Sequence, residues 1–198
     1  MNLAILPKEY EHLRKILDET DYLKALDHFS MDIKLYKDKD NFRTKVSWHV
    51  PTVSLISLLV KSGPIVSVGC GNAFTESQAI SQGADIICTD LTPPPNLWCP
   101  ETAYTNVEQI SAEDAVEKYN DRTVFMAWPP YNTSMAYDVV QKMKSGQKLI
   151  YIGEGDGGCT GDDNFFNSLY DDFESLDHDI NIKRWVGIYD YVKIFIKK

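Results

Sequence analysis

Cysteine is scarce in this chain and scattered where it occurs. Cys70, Cys88, Cys99 and Cys159 are the four in 198 residues, and no two have the spacing of a zinc or redox pair. The pattern indicates neither a metal site nor a disulfide framework, and incidental or buried thiols are the expectation. Long apolar runs are missing as well, since none approaches the ~20 residues needed to cross a bilayer. Met1 to Tyr10 carries Pro7, Lys8 and Glu9 where a signal peptide would have its apolar core. A cytoplasmic protein with no membrane partner is expected. Positive charge is in deficit, with 20 Lys and Arg against 29 Asp and Glu and a net charge of −9. A duplex-binding surface needs a basic stripe. The local candidates Lys34, Lys37, Lys39, Arg43 and Lys45 are interleaved with Asp38 and Asp40, which reads as a solvated face. Repeats and low-complexity tracts are also absent.

What remains, 43% hydrophobic and 12% aromatic residues, is the composition of one folded domain with a full core. Its organising stretch is Gly63 to Glu76. Ile65 to Val68 is a short β-branched run after a Gly-Pro break, which predicts a buried parallel strand. Gly69-Cys70-Gly71 follows, and Phe74 to Ser81 begins a helix. A strand entering a helix through Gly-x-Gly leaves main-chain N–H groups bare for an anionic or carboxylate-bearing ligand. A second strand, Ala84 to Thr89, ends at Asp90, close to the ~20-residue offset at which an acid meets nucleotide ribose hydroxyls. The third glycine of a dinucleotide fingerprint is missing, because Ser77 and Phe74 stand at the two positions it would occupy. A pyrophosphate is therefore disfavoured. S-adenosyl-L-methionine, with a ribose and no phosphates, fits the pattern better than a nicotinamide dinucleotide.

Along the chain, Pro7 to Asp18 and Asp21 to Phe29 predict two short helices. Ser30 to Thr44 is charged and poorly periodic and predicts a flexible or extended connection. Residues 1–50 read as a helical cover and residues 51–198 as the ligand-binding domain. Trp48-His49 either lines the cofactor pocket or wedges the cover in place. Thr52 to Lys61 predicts a helix, Asn106 to Ile110 a third strand, and Ala115 to Tyr119 a helix. Glu113 and Asp114 lie where a doubly wound fold places the adenine edge. Thr123 to Ala127 is a further buried strand running into Trp128-Pro129-Pro130-Tyr131, whose prolines fix the backbone at the carboxyl end of a central strand. Met135 to Lys144 predicts a helix and Lys148 to Ile152 a fifth strand. The loop from Gly153 to Asp163 has five glycines and several carboxylates but lacks the Asp-x-Asp-x-Asp-Gly calcium spacing. It reads as an acidic loop facing substrate. Asp163 to Phe173 predicts a helix, and Ile180 to Ile188 with Tyr191 to Ile196 a closing hairpin around Tyr189-Asp190.

The whole is an α/β pattern: a doubly wound, Rossmann-like, mostly parallel seven-stranded sheet with a C-terminal antiparallel hairpin and an N-terminal helical cover. On Val68-Gly69-Cys70-Gly71, Asp90 and Trp128-Pro129-Pro130-Tyr131 it resembles class I S-adenosylmethionine-dependent methyltransferases. The runs Ser47-Trp48-His49-Val50-Pro51, Trp128 to Tyr131 and Tyr151 to Phe166 are similar to those of a bacterial and fungal group of such proteins, covering the chain from about Ser47 onward. The resemblance implies that Gly69, Cys70, Gly71, Glu76, Asp90, Leu91, Glu113, Asp114, Trp128 and Pro129 bind the cofactor. It implies Tyr131, Glu154 and Asp156 as catalytic candidates acting on an unidentified polar methyl acceptor, a small molecule or protein rather than nucleic acid. The sequence departs from the pattern at Ser67 and Ala73, where an acid and a glycine are usual, and Glu76 is the substitute for the acid. Amino-group methyltransferases carry Asp, Asn or Ser before the prolines; Trp128 stands there, and an indole only donates. A non-catalytic cofactor-binding subunit or sensor and a nicotinamide-dependent oxidoreductase are the rival readings.

Overall fold

The computed structural model describes Lys8 and residues 33–180, 182–185 and 187–198. The two helices expected within 7–29 lie outside the described residues, apart from Lys8. Among the described residues seven strands form one sheet. They are β1 (Ile65–Val68), β2 (Ile86–Asp90), β3 (Val107–Gln109), β4 (Thr123–Ala127), β5 (Lys148–Gly153), β6 (Phe173–Leu176) and β7 (Tyr191–Lys197), in the order β3-β2-β1-β4-β5-β7-β6. The first five run parallel, and β7 enters antiparallel to both β5 and β6. Strand order reverses between β1 and β4, paired with Val68 opposite Met126. The glycine turn and Trp128 therefore open onto one crevice at the carboxyl ends of neighbouring strands, where open α/β sheets bind ligands.

The alternation of apolar side chains along β1 and β4 buries both faces. Val66, Val68, Val124 and Met126 pack under α4 (Ala112–Lys118), α5 (Met135–Lys142) and α6 (Asp163–Asp172), while Ile65 and Phe125 face α2 (Val53–Lys61) and α3 (Phe74–Ile80). On α2 the spacing of Leu55, Ile56 and Leu59 puts three fully buried side chains on one stripe, each contributing about 1.5–3 kcal/mol. Thr52 caps it, accepting from the Leu55 N–H at 3.3 Å, so Pro51 precedes the helix and does not sit within its first turn. Helix α4 starts at Ala112 on the Ser111 cap, three residues before the expected Ala115, because the Ser111 hydroxyl satisfies the Asp114 N–H.

Two expectations fail. Residues 33–45 are a helix, α1 (Ile33–Lys45), and not an extended connection. It has no Pro or Gly, and its Phe42 is fully buried, edge-on against Trp185 at 5.4 Å between centroids. The last carbonyl, of Lys45, is capped by Asn72 Nδ2 at 3.0 Å, tying α1 to the glycine turn. The terminal pairing also differs: β7 pairs with Phe173–Leu176, directly after α6, with Leu176 opposite Ile194. Among the described residues from 177 to 190 no strand forms, and Lys183 bridges to Val50. Tyr189-Asp190 lacks the Gly or Asn that a two-residue hairpin turn needs, and Ile182 and Trp185 turn inward to cover α1 and α2.

Among the described residues no helix is long and apolar enough to cross a membrane. At the end of β5, Gly153 lies on the same face as Tyr151, whose buried ring folds over it. A Cβ at 153 would stand 2.8 Å from the Tyr151 Cζ. Gly153→Ala is expected to lower the unfolding free energy by about 1–3 kcal/mol, read as a lower urea midpoint at unchanged slope. An unmoved midpoint would show that the Tyr151 ring is free to shift.

Candidate active site

Three residues of the turn after β1, Gly69, Gly71 and Ala73, have φ near +60°, +56° and +55°. Left-handed backbone aims the N–H groups away from the ladder, and they need acceptors. Asp90 provides one across the strands: its Oδ2 accepts from Gly71 N–H at 2.9 Å and its Oδ1 from Thr92 N–H at 2.9 Å. Each oxygen keeps a second lone pair for a ligand hydroxyl. The turn is closely approached. A Cβ at Gly69 would meet Met135 Cε at 2.8 Å, and one at Gly71 would meet Cys99 Sγ at 3.0 Å. Gly69, Gly71 and Asp90 are thus brought together as the sequence suggested. Cys70 donates its N–H to Thr89 O and carries its thiol beside Cys88, and that contact together with burial raises its pKa.

The acid missing at position 67 returns from α3. Ser67 Oγ donates to Glu76 Oε1 at 2.6 Å, and Glu76 is 4% exposed. Burial pushes its carboxyl up to about 7, with the Ser67 bond pulling the other way. His49 lies behind α3, sharing hydrogen bonds with Thr75 Oγ1 at 2.9 Å and Ser47 Oγ at 3.2 Å. Burial lowers its pKa to about 3, so it is a neutral packing residue. The Trp48-His49 pair splits: the imidazole goes to the interior and the indole to the crevice.

On the far side, Ile110 N–H donates to Asp90 O at 3.2 Å, bringing the end of β3 to the same edge. Glu113 and Asp114 occupy the first turn of α4, half-buried and exposed respectively. Leu91 is 66% exposed beside Asp90.

The other side of the crevice is built on Trp128, a non-glycine residue at φ +53°. Its N–H donates to Ile152 O at 2.7 Å and its indole Nε1 to Asp190 Oδ2 at 3.2 Å. Its ring lies 5.7 Å from that of Trp48, and the Arg43 guanidinium lies over both, 4.1 Å from Trp48 and 5.2 Å from Trp128. Arg43 and Asp190 were not found by sequence reasoning. The only signal for Asp190 was a carboxylate abutting the last strand. It is 1% exposed, and burial pushes its carboxyl up to about 6. Asp190 Oδ1 and Arg43 Nε are both buried without a partner. Pro129 O accepts from Gly161 N–H at 3.3 Å and Asn132 N–H donates to Gly161 O at 2.8 Å, so the Pro-Pro-Tyr segment is laced to the glycine-rich loop. Tyr131 is 65% exposed at the rim.

Within that loop Glu154 does not face outward as expected. Its Oε2 accepts from Cys159 N–H and its Oε1 from Tyr189 N–H, each at 2.8 Å, while its carbonyl accepts from the Tyr151 and Thr160 hydroxyls. With both oxygens engaged by main-chain donors it braces the loop, and the catalytic reading of Glu154 loses its geometric support. Asp156 is exposed. Among the described residues no group of three His, Cys, Asp or Glu is placed to hold a metal ion.

No protein-family model and no curated protein sequence matches the chain. Solved structures do. A SAM-dependent methyltransferase from Anabaena variabilis superposes at a TM-score of 0.52 and 12% identity over 84% of this chain and 96% of its own. The Burkholderia thailandensis 1,6-didemethyltoxoflavin-N1-methyltransferase gives 0.49 and 12% over 98% and 92%. Magnesium protoporphyrin IX methyltransferase from Synechocystis gives 0.47 and 10% over 73% and 77%. At these identities the likeness is one of architecture, and this chain has the Rossmann-like fold of such methyltransferases.

Proposed function

We propose that this protein is an S-adenosylmethionine-dependent methyltransferase. The observation that carries the reading is the 2.9 Å bond from Gly71 N–H to Asp90 Oδ2 at the strand-order reversal, which places a glycine cradle and a ribose-competent carboxylate at one crevice. The residues fit the cofactor. Asp90 has lone pairs left for the two ribose hydroxyls. Gly69 and Gly71 let the turn adopt left-handed backbone, which directs main-chain N–H groups away from the ladder. Glu76 offers a buried carboxyl to the ammonium of the amino-acid end. The bound cofactor supplies an activated methyl on a sulfonium. The protein then has to hold the acceptor in line and keep water out. Trp128, fixed by its bonds to Ile152 and Asp190, forms the wall of that site, and Tyr131 its rim. A helical cover over residues 1–50, a cytoplasmic setting, and an acceptor that is a small molecule or protein belong to the same reading.

Calorimetric titration with S-adenosylhomocysteine tests it. Wild-type protein is expected to bind it, and NADH at the same concentration to give no heat. Asp90→Ala is expected to weaken binding about 10- to 100-fold, the loss of one or two charge-assisted hydrogen bonds. Full affinity in Asp90→Ala would remove the proposal.

Glu76 adds a pH dependence. Its carboxyl titrates near 7 in the free protein, and an ammonium favours the ionised form. Affinity is therefore expected to rise as pH climbs through about 7, and Glu76→Gln to flatten that rise. Without ligand the sign reverses. A raised carboxyl pKa stabilises the fold below the ordinary value of 4.5, and that contribution fades as pH rises towards about 7. Glu76→Gln should accordingly stabilise the ligand-free protein at pH about 8 relative to wild type, read by thermal unfolding.

A further inference from the structure

Beside the carboxyl ends of β4 and β5 lies a cluster with two buried polar atoms that no hydrogen bond satisfies. Arg43 reaches from α1 and lays its guanidinium on Trp48 and Trp128. Beside the Trp128 indole lies Asp190, with Oδ2 taken by the indole N–H and Oδ1 meeting nothing. Arg43 Nε is buried and equally without a partner. A donor and an acceptor of opposite charge thus share one cluster, both buried, and neither bonds the other. A guanidinium matched to a carboxylate would close a two-pronged pair. Here the stacking is made and the fork is not. Arg43 fills the aromatic half of a cation site and leaves its carboxylate half open.

We infer that Trp48, Trp128 and Asp190 form the recognition site for a planar, N–H-bearing cation of the guanidinium or amidinium class, carried by the methyl acceptor and displacing the Arg43 side chain as it enters. As an acceptor site it rests on the methyltransferase reading above. Flat cations stack on indoles and direct in-plane N–H groups at a carboxylate. A neutral ring would stack but leave Asp190 Oδ1 unmet. A tetrahedral ammonium would reach Asp190 but match neither ring face. The function lost at position 128, where an indole cannot accept from the acceptor nitrogen, is restored by Asp190 held on that same indole. Trp98, 62% exposed and edge-on to Trp48 at 6.2 Å, continues the aromatic surface outward. The rest of the ligand therefore meets an apolar, aromatic wall.

Benzamidine and its neutral isostere benzamide are suitable probes, titrated into the full 15N-labelled chain while the indole N–H signals of Trp128 and Trp48 are followed. The pH is held at about 8, where Asp190 is ionised: burial lifts its carboxyl to about 6, the Trp128 indole and Arg184 act downward and Glu154 upward, and Arg43 faces it from α1. Benzamidine is expected to shift both indole signals saturably, with an affinity about tenfold or more above that of benzamide. Asp190→Asn should erase that preference. Arg43→Ala should tighten benzamidine several-fold by removing the internal competitor. Equal affinities for the two probes would overturn the assignment, as would weaker benzamidine binding in Arg43→Ala. Should either variant fail to fold, the wild-type comparison of the two probes decides. S-adenosylhomocysteine is titrated into the same samples. Its failure to bind, with benzamidine selectivity retained, sinks the methyltransferase reading and leaves the cation site; the reverse result sinks the cation site alone.

Discussion

Main-chain N–H groups that leave the sheet at the carboxyl ends of the strands must find acceptors, and in this protein carboxylates supply them. Asp90 takes Gly71 and Thr92, Glu154 takes Cys159 and Tyr189, and Asp162 takes Phe165. An orphaned buried N–H costs about 1–3 kcal/mol, and a bond to a charged acceptor is worth more than a neutral one. The shape of the crevice therefore depends on acids that never face a ligand with their whole carboxyl group. That sorts the acidic side chains into two kinds. Glu154 is spent on backbone and braces a loop. Glu76 and Asp190 are buried, carry one side-chain donor each, and have their carboxyls pushed up. Buried carboxyls kept short of donors are a poor device for stability and a good one for meeting a cation.

Trp128 shows how the second kind is positioned. Left-handed backbone costs a non-glycine residue roughly 1–2 kcal/mol. The cost is offset by two bonds, from its N–H to Ile152 O and from its indole to Asp190 Oδ2. Pro129 and Pro130 then fix the exit direction, while Gly161 ties the segment to the loop after β5. The element after β4 is consequently strained and rigid at once, a combination that recurs at functional sites because the surroundings over-determine the residue.

The legible parts of the sequence were those whose physics is local. Ile65 to Val68 followed by Gly-x-Gly specifies a strand and a left-handed turn with no help from elsewhere, and Asp90 is placed by the length of one helix and one strand. The Asp162 cap of α6 is local in the same sense. What was illegible depends on distant partners. Helix α1 shows no clear stripe to read, and its buried Phe42 meets Trp185, 143 positions later. The partner of β7 is Phe173–Leu176 and not the adjacent Ile180 to Ile188, which adjacency cannot show. Nothing in Gly153-Glu154-Gly155 says whether the carboxylate turns out to solvent or in to Tyr189. Asp190 acquires meaning only through an indole 62 residues away.

Helix α1 joins these threads. Its carbonyl end is held by Asn72 of the glycine turn, its Phe42 by Trp185, and its Arg43 lies on Trp48 and Trp128. One helix thus touches both the glycine turn after β1 and the aromatic wall after β4. Selection for stability alone would have closed the gap between Arg43 Nε and Asp190 Oδ1, since burying both unmet is more costly than pairing them. The chain instead keeps the guanidinium stacked and leaves Asp190 Oδ1 without a donor. Local rules broken without local compensation concentrate at sites that work on something else, and here the breach lies beside the strand-order reversal where the fold already places its crevice.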